Sequence, residues 1–302
     1  MAGEIAERAI VVAPPVHVRA ARALRKARRL PLIPIFILSV FIIVGISAPW
    51  IAPHDPLRGN LRERNVAPFW AEGGSTKFLL GTDHLGRDVL SRTIHGARIS
   101  LIVASTVILA GITVGVLIGL LSGWYGGWVD EFFMRLVDIK LAIPTILLAL
   151  VLVLALGQSF TLIIVVLALT IWPRIARNVR GEVLRLKTMD YVALAKVAGA
   201  STPRILAVHL FPGVVNTLIV LTTLEMGIVI LLEATLSFLG AGVPPPTPAW
   251  GSMVAEGRDR LAVAWWISTI PGLAILIIVM ASNLFGDWLR DTLDPRLRQL
   301  QH

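Results

Sequence analysis

Residues 191–213 read YVALAKVAGASTPRILAVHLFPG, a basic amphipathic stretch with a long apolar run on either side. Helix formers fill 192–198, and Gly199 stands where a helix C-terminus commonly takes a left-handed residue. Ser201 or Thr202 can cap a second helix, which tolerates Pro203 in its first turn and continues from Arg204 to Leu210. The spacing predicts two short helices around a turn, lying beside a membrane. Read from its residues alone, the stretch suits a helix resting on anionic lipid and an element docking onto another protein equally well.

The composition says why a membrane enters the argument. Of 302 residues, 56% are hydrophobic and only 16% charged, and the apolar ones fall in long unbroken runs. Such a chain is an all-α polytopic membrane protein, with lipid solvating its surface and helices satisfying its backbone. Cysteine is absent, which excludes a disulfide framework and a thiolate metal site. The net charge of +9 is assigned to orientation in a bilayer and not to nucleic acid.

Six spans are predicted, over residues 30–51, 99–121, 136–156, 160–175, 214–239 and 265–284. Arg8, Arg19, Arg22, Arg25, Lys26, Arg28 and Arg29 precede the first, against Glu4 and Glu7, and place the N-terminus in the cytoplasm. The segment 174–204 carries seven basic residues against Glu182 and Asp190, which puts the opening stretch on the same side. The chain divides into a cytoplasmic basic segment (1–29), a first span with an external loop (30–96), and a core of five spans (97–302) with a cytoplasmic coupling loop at 173–213. Both termini are then cytoplasmic. Seven basic residues between Arg58 and Arg98 sit awkwardly in an exported loop, and the N-terminal cluster is given precedence over them.

Within that loop, GTDHLGRDVLSRTIHGARISL (81–101) reads as a glycine-rich turn entering an interfacial helix. Val89, Ile94 and Leu101 are expected toward lipid, and Arg87, Arg92 and Arg98 toward water. Gly111, Gly115, Gly119 and Gly123 repeat every four residues and predict a flat face for close helix packing. The fourth span is short, and Trp265 and Trp266 read as an interfacial pair opening the last one.

Glu225 and Glu233 lie inside the fifth span, about 80° apart around a helix. They are candidates for lining a translocation path, and Glu225 reads equally as a buried carboxyl bonded to a neighbouring helix. No phosphate-binding loop, His-Glu-x-x-His or Gly-x-Ser-x-Gly motif occurs. The adjacent Asp83 and His84 are too few for a metal site. No catalytic residue, cofactor or metal is therefore assigned.

Several separated stretches carry a family resemblance. Gly-Thr-Asp, Leu-Gly-Arg-Asp, Ser-Arg and Gly-x-Arg-x-Ser-Leu within 81–101, LEATLSFLGAG and VPPPTPAWGSM from 232 to 253, and Gly-Asp-x-Leu-Arg-Asp-x-Leu-Asp-Pro from Gly286 are similar to one permease subunit type of peptide and nickel ABC importers. The opening stretch resembles the coupling loop of that family: Ala193, Leu194 and Ala195 stand at its first three positions, Gly199 at its glycine and Pro212 at its terminal proline. The family usually opens with Glu where Ala193 stands here.

The resemblance implies a type I ABC importer permease fold in the bacterial inner membrane. It implies a second permease subunit, two cytoplasmic ATP-binding subunits and an external substrate-binding protein as partners. Docking to the ATPases would then involve Tyr191, Ala193, Ala195, Lys196, Gly199, Ala200 and Arg204. The cargo is left open among dipeptides, oligopeptides, nickel chelates, glutathione and similar solutes. A proton-coupled secondary transporter or channel, with Glu225 or Glu233 carrying protons, is the alternative, although no inverted repeat is visible.

Overall fold

The computed structural model describes residues 30–293. In chain order its helices are α1 (Leu32–Ile51), α2 (Val89–Tyr125), α3 (Gly127–Ala142), α4 (Thr145–Leu156), α5 (Phe160–Leu186), α6 (Asp190–Val197), α7 (Thr202–Phe238), α8 (Trp250–Arg258) and α9 (Trp266–Leu293). The basic segment 1–29 and the Asp294-Pro295 end of the last motif lie outside the described residues. Among the described residues five helices are long and apolar enough to cross a membrane, and α3 with α4 forms a pair bent by 84°.

The glycine face of α2 decides how these helices are arranged. A Cβ on Gly111, Gly115, Gly119 or Gly123 would meet Ile171, Ile175, Val179 and Val183 of α5 in turn. The partner number rises with the glycine number at a constant offset, so α2 and α5 run parallel. Four β-branched side chains, each stiff at χ1, fill the four shallow sites. In lipid, where the hydrophobic effect does not drive helices together, this close van der Waals contact is what holds them. Parallel neighbours require the chain to return between them, so the bent pair α3–α4 makes the sixth crossing.

That crossing differs from the straight span expected over 136–156. The 16 residues of α3 include Asp130, Glu131, Arg135, Asp138 and Lys140, too many charges for a hydrocarbon environment. Two of them fasten α3 to α5: Asp130 accepts from Arg180 (Nη2 to Oδ2 2.6 Å), and Asp138 pairs with Arg177. Ile143 is extended, and Pro144, having no N–H to donate, opens α4 at the bend. With 12 residues, α4 reaches only about 18 Å.

Three further expectations change. Helix α5 is not short: it runs 27 residues, with Ser159 accepting from the Leu162 N–H at its start. No separate second coupling helix forms, since one turn (Thr202–Arg204) passes through a π-helical stretch (Ile205–Leu210) into Phe211–Phe238. Pro212 does not end a helix there. It stands in a first α-helical turn, where a missing N–H costs little, and Ser201 makes no side-chain cap bond. Of the tryptophan pair, Trp265 is exposed, whereas Trp266 is buried and donates from Nε1 to the Thr82 carbonyl at 3.0 Å.

The α2–α5 contact generates a test. In Gly119→Val, the new side chain would begin 2.6 Å from the Val179 Cβ and 2.7 Å from the Ala176 carbonyl oxygen. Overpacking of this kind is expected to cost about 1–3 kcal/mol, read as a lower denaturation midpoint in detergent. Gly181→Ala, on an open face with no atom within 4 Å, should leave the midpoint unchanged or higher.

Candidate functional site

Helix α6 sits at one end of α2, and the segment 52–88 with α8 sits at the other. Lys196 of α6 lies over the Trp124 ring at 4.5 Å, and Lys187 donates to the Gly123 carbonyl at 2.8 Å, both at the last turns of α2. Val192 is buried, and Ala195 and Ala200 are half-buried against the core. The outward face is apolar, with Leu194 67% and Val197 87% exposed. Gly199 has φ +79° and no atom within 4 Å of where a Cβ would be. Its requirement is therefore backbone conformation and not space.

The seven candidate docking residues thus divide by orientation. Tyr191, Ala193, Gly199 and Arg204 are exposed. Ala195 and Ala200 turn inward, and the exposed Lys196 is engaged by Trp124. Tyr191 also reaches back to the His209 carbonyl at 3.4 Å, in the π-helical stretch that leads into α7. Leu194 and Val197, although exposed on this face, are not among the seven candidates.

The two intramembrane glutamates share α7 but not surroundings. Glu233 is fully buried and accepts from Ser237 Oγ (2.8 Å) and Ser100 Oγ of α2 (3.4 Å). Glu225 borders a cavity of about 160 Å³ that is also lined by Lys140 and Arg174. The Arg174 guanidinium comes within 3.6 Å of Glu225 Oε1. The amphipathic reading of α3 and α5 could have flagged Lys140 and Arg174, but only the bend at Pro144 brings both to Glu225.

At the far end of α2, nearly every residue of GTDHLGRD has an assigned contact. Thr82 Oγ1 accepts from the Val66 N–H at 2.9 Å, and its carbonyl takes the Trp266 bond. Asp83 Oδ1 accepts the N–H groups of Leu85 (2.8 Å) and Arg87 (2.9 Å), forming the turn. Gly86 has φ +74°, and a Cβ there would stand 1.9 Å from the Asn60 carbonyl oxygen. Asp88 caps α2 by accepting from the Ser91 N–H at 2.9 Å, which is why this helix begins ten residues before the predicted span.

Arg87 and Arg92 do not face water as expected, and Val89 does not face lipid; all three are buried. Asp83 Oδ2 accepts from Arg87 Nε and Arg92 Nη1, both at 2.6 Å. Glu256 of α8 accepts from the same two guanidiniums, at 2.7 and 3.0 Å. Burial pushes the Glu256 carboxyl above the ordinary glutamate range, with the Arg87 charge opposing that rise. Asp83, His84 and Glu256 also present ligand atoms within 4.8 Å of one another. Their carboxylate oxygens already accept from two guanidiniums, which compete with a metal ion for the same lone pairs. The cluster is a clasp joining the loop, α2 and α8.

Residues 115–299 match the family described as binding-protein-dependent transport system inner membrane component. Over 261 residues the chain is 48% identical to the dipeptide transport system permease protein DppC of Escherichia coli, covering 86% of this chain and 87% of that protein. Over 259 residues it is 42% identical to the di/tripeptide transport system permease protein DppC of Pseudomonas aeruginosa, covering 86% of each. A chain from the MetNI methionine ABC transporter, solved in inward-facing conformations, matches with a TM-score of 0.54 at 18% identity. That match covers 67% of this chain and 96% of the other, and is a likeness of fold.

The clasp predicts a stability effect. Arg92→Met leaves the buried Asp83 and the partly buried Glu256 carboxylates facing one guanidinium and should cost on the order of 3 kcal/mol, measured as a shift of the unfolding midpoint. Adding Glu256→Gln to it should cost less than the sum of the single changes, because both act on one network. Arg98→Met, at an exposed position, should change the midpoint little.

Proposed function

Because this chain belongs to the family of binding-protein-dependent transport system inner membrane components, and within it to the dipeptide/oligopeptide ABC-importer permeases, we propose that short peptides are its cargo and residues 190–210 its contact with the ATPases. It is a multi-pass membrane protein and the permease subunit of an ABC importer. In the proposed assembly it meets a second permease subunit along the translocation path, and an external binding protein delivers peptide to the face formed by 52–88 and α8. Two ATP-binding subunits sit against α6. Both termini are then cytoplasmic, in the inner membrane of a bacterium. Hydrolysis of ATP belongs to the partner subunits.

The observation that carries the docking assignment is the apolar outer face of α6. Leu194 and Val197 stand exposed at the end of α2 opposite the clasp, in a segment otherwise rich in Arg and Lys. An apolar surface at a charged, aqueous boundary is what a protein partner covers. Where the family pattern has Glu, Ala193 extends that apolar face, so shape and burial replace a polar contact. Movement of the ATPases would reach the spans by two routes. One is the Lys196–Trp124 and Lys187–Gly123 contacts onto α2; the other is the π-helical stretch into α7.

The chain contains no cysteine, so a single Val197→Cys substitution reports cleanly on this face. In the assembled transporter the thiol should cross-link to an ATPase subunit and be shielded from a water-soluble maleimide. Labelling by a lipid-partitioned maleimide, undiminished by the ATPases, would mean that α6 rests on lipid. Val197→Asp should lower ATP-dependent peptide uptake at least tenfold while the chain still inserts. Uptake by the chain alone in liposomes, driven by a proton gradient, would overturn the importer reading.

A further inference from the structure

Three charged side chains from three helices face the cavity at the bend of the broken crossing. Lys140 comes from the end of α3, Arg174 from α5 and Glu225 from α7, with Pro144, Thr170 and Leu232 completing the wall. The Glu225 side chain is only 8% exposed, and its Oε2 has no hydrogen-bond partner. Its other oxygen lies 3.6 Å from the Arg174 guanidinium, beyond hydrogen-bonding length. Arg174 is half-exposed, and among the described residues no carboxylate stands within 4.0 Å of the Lys140 ammonium. The cavity therefore offers a carboxylate oxygen without a partner, beside a Glu225–Arg174 ion pair held at 3.6 Å and the Lys140 ammonium.

The chemistry of the ligand follows from that charge set. A simple anion would be drawn by Lys140 and Arg174 and repelled by Glu225. A simple cation would meet the reverse. A molecule with an ammonium at one end and a carboxylate at the other satisfies all three groups at once, the guanidinium taking the carboxylate in a two-pronged geometry. We propose that this cavity is a transient site within the membrane for a free-ended short peptide, its amino terminus on Glu225 and its carboxyl terminus on Arg174 and Lys140. The assignment rests on short peptides being the cargo. A few exposed contacts and a volume of about 160 Å³ suit passage and not retention: the site holds the termini and leaves side chains unread.

The test uses the transporter purified with its partner subunits in nanodiscs and three probes: L-alanyl-L-alanine, its N-acetyl derivative and its C-terminal amide. Glu225→Gln should weaken binding of the free dipeptide at least tenfold and leave the already weaker N-acetyl probe within twofold. Arg174→Gln should do the same for the free dipeptide against the amide, and Arg174→Lys should restore part of the loss. Equal weakening of all three probes by Glu225→Gln would indicate a merely structural role and overturn the site. So would unchanged binding in both variants, with ATP-driven uptake of the dipeptide intact, an outcome that leaves the importer reading standing. Failure of the wild-type complex to import the dipeptide with ATP, despite charge-selective binding, would instead sink the peptide-cargo reading.

Discussion

The parallel contact between α2 and α5 governs the rest of the molecule. Four glycines at a four-residue period admit four β-branched side chains, and the two helices lock in one register. Because the two helices point the same way, the chain between them must cross back. It does so through a segment that cannot cross as a straight helix. The charges of α3 keep it out of the hydrocarbon interior, and Pro144 breaks it before α4. The cavity bordered by Glu225 and Arg174 is a consequence of that break, so a packing motif on one helix shapes a polar site on three others.

Helix α2 also acts as a beam between the two ends of the molecule. Its 37 residues extend about 55 Å, well past the hydrocarbon thickness of about 30 Å. One overhang enters the clasp of Asp83, Arg87, Arg92 and Glu256, and the other carries Trp124 beneath Lys196. The signature stretch 81–88 therefore serves architecture: it turns the chain, caps α2 and supplies Asp83 and Arg87 to the charge network that fastens α8 through Glu256. Trp250 adds to this by donating to the Thr93 carbonyl at 2.8 Å and packing over Gly96. Residues 233–251 are tied in through Ser237, whose Oγ accepts from the Val243 N–H at 3.2 Å. Motifs far apart in sequence meet at one end because they build one joint.

At the opposite end, α6 is fixed on its inner side and open on its outer side. The π-helical stretch Ile205–Leu210 joins it to α7. Such stretches have irregular hydrogen bonding and recur at functional positions. From α6 two connections therefore lead inward, one to the α2–α5 pair through Lys196 and Lys187 and one through this stretch to α7.

Residue type and period alone determined much of this protein. The apolar runs placed α1, the end of α7 and the start of α9 to within two residues, the glycine period announced a packing face, and Gly199 marked the left-handed turn it adopts. Separated motifs identified the permease family before any contact was known. Sequence reasoning failed where burial reverses what a residue type suggests. Arg87 and Arg92 resemble solvated charges until Glu256, more than 160 positions away, supplies their partner. A span over 136–156 appears continuous until the charges of α3 find Asp130–Arg180 and Asp138–Arg177. A carboxyl bonded to a neighbouring helix is a reading the sequence offers for Glu225, yet Ser100 and Ser237 enclose Glu233 instead, and the bend at Pro144 opens a cavity beside Glu225. Local patterns follow from covalent geometry and helix period, so they are present in the chain itself. Charge partners and cavities depend on which helices become neighbours, and only the tertiary packing decides that.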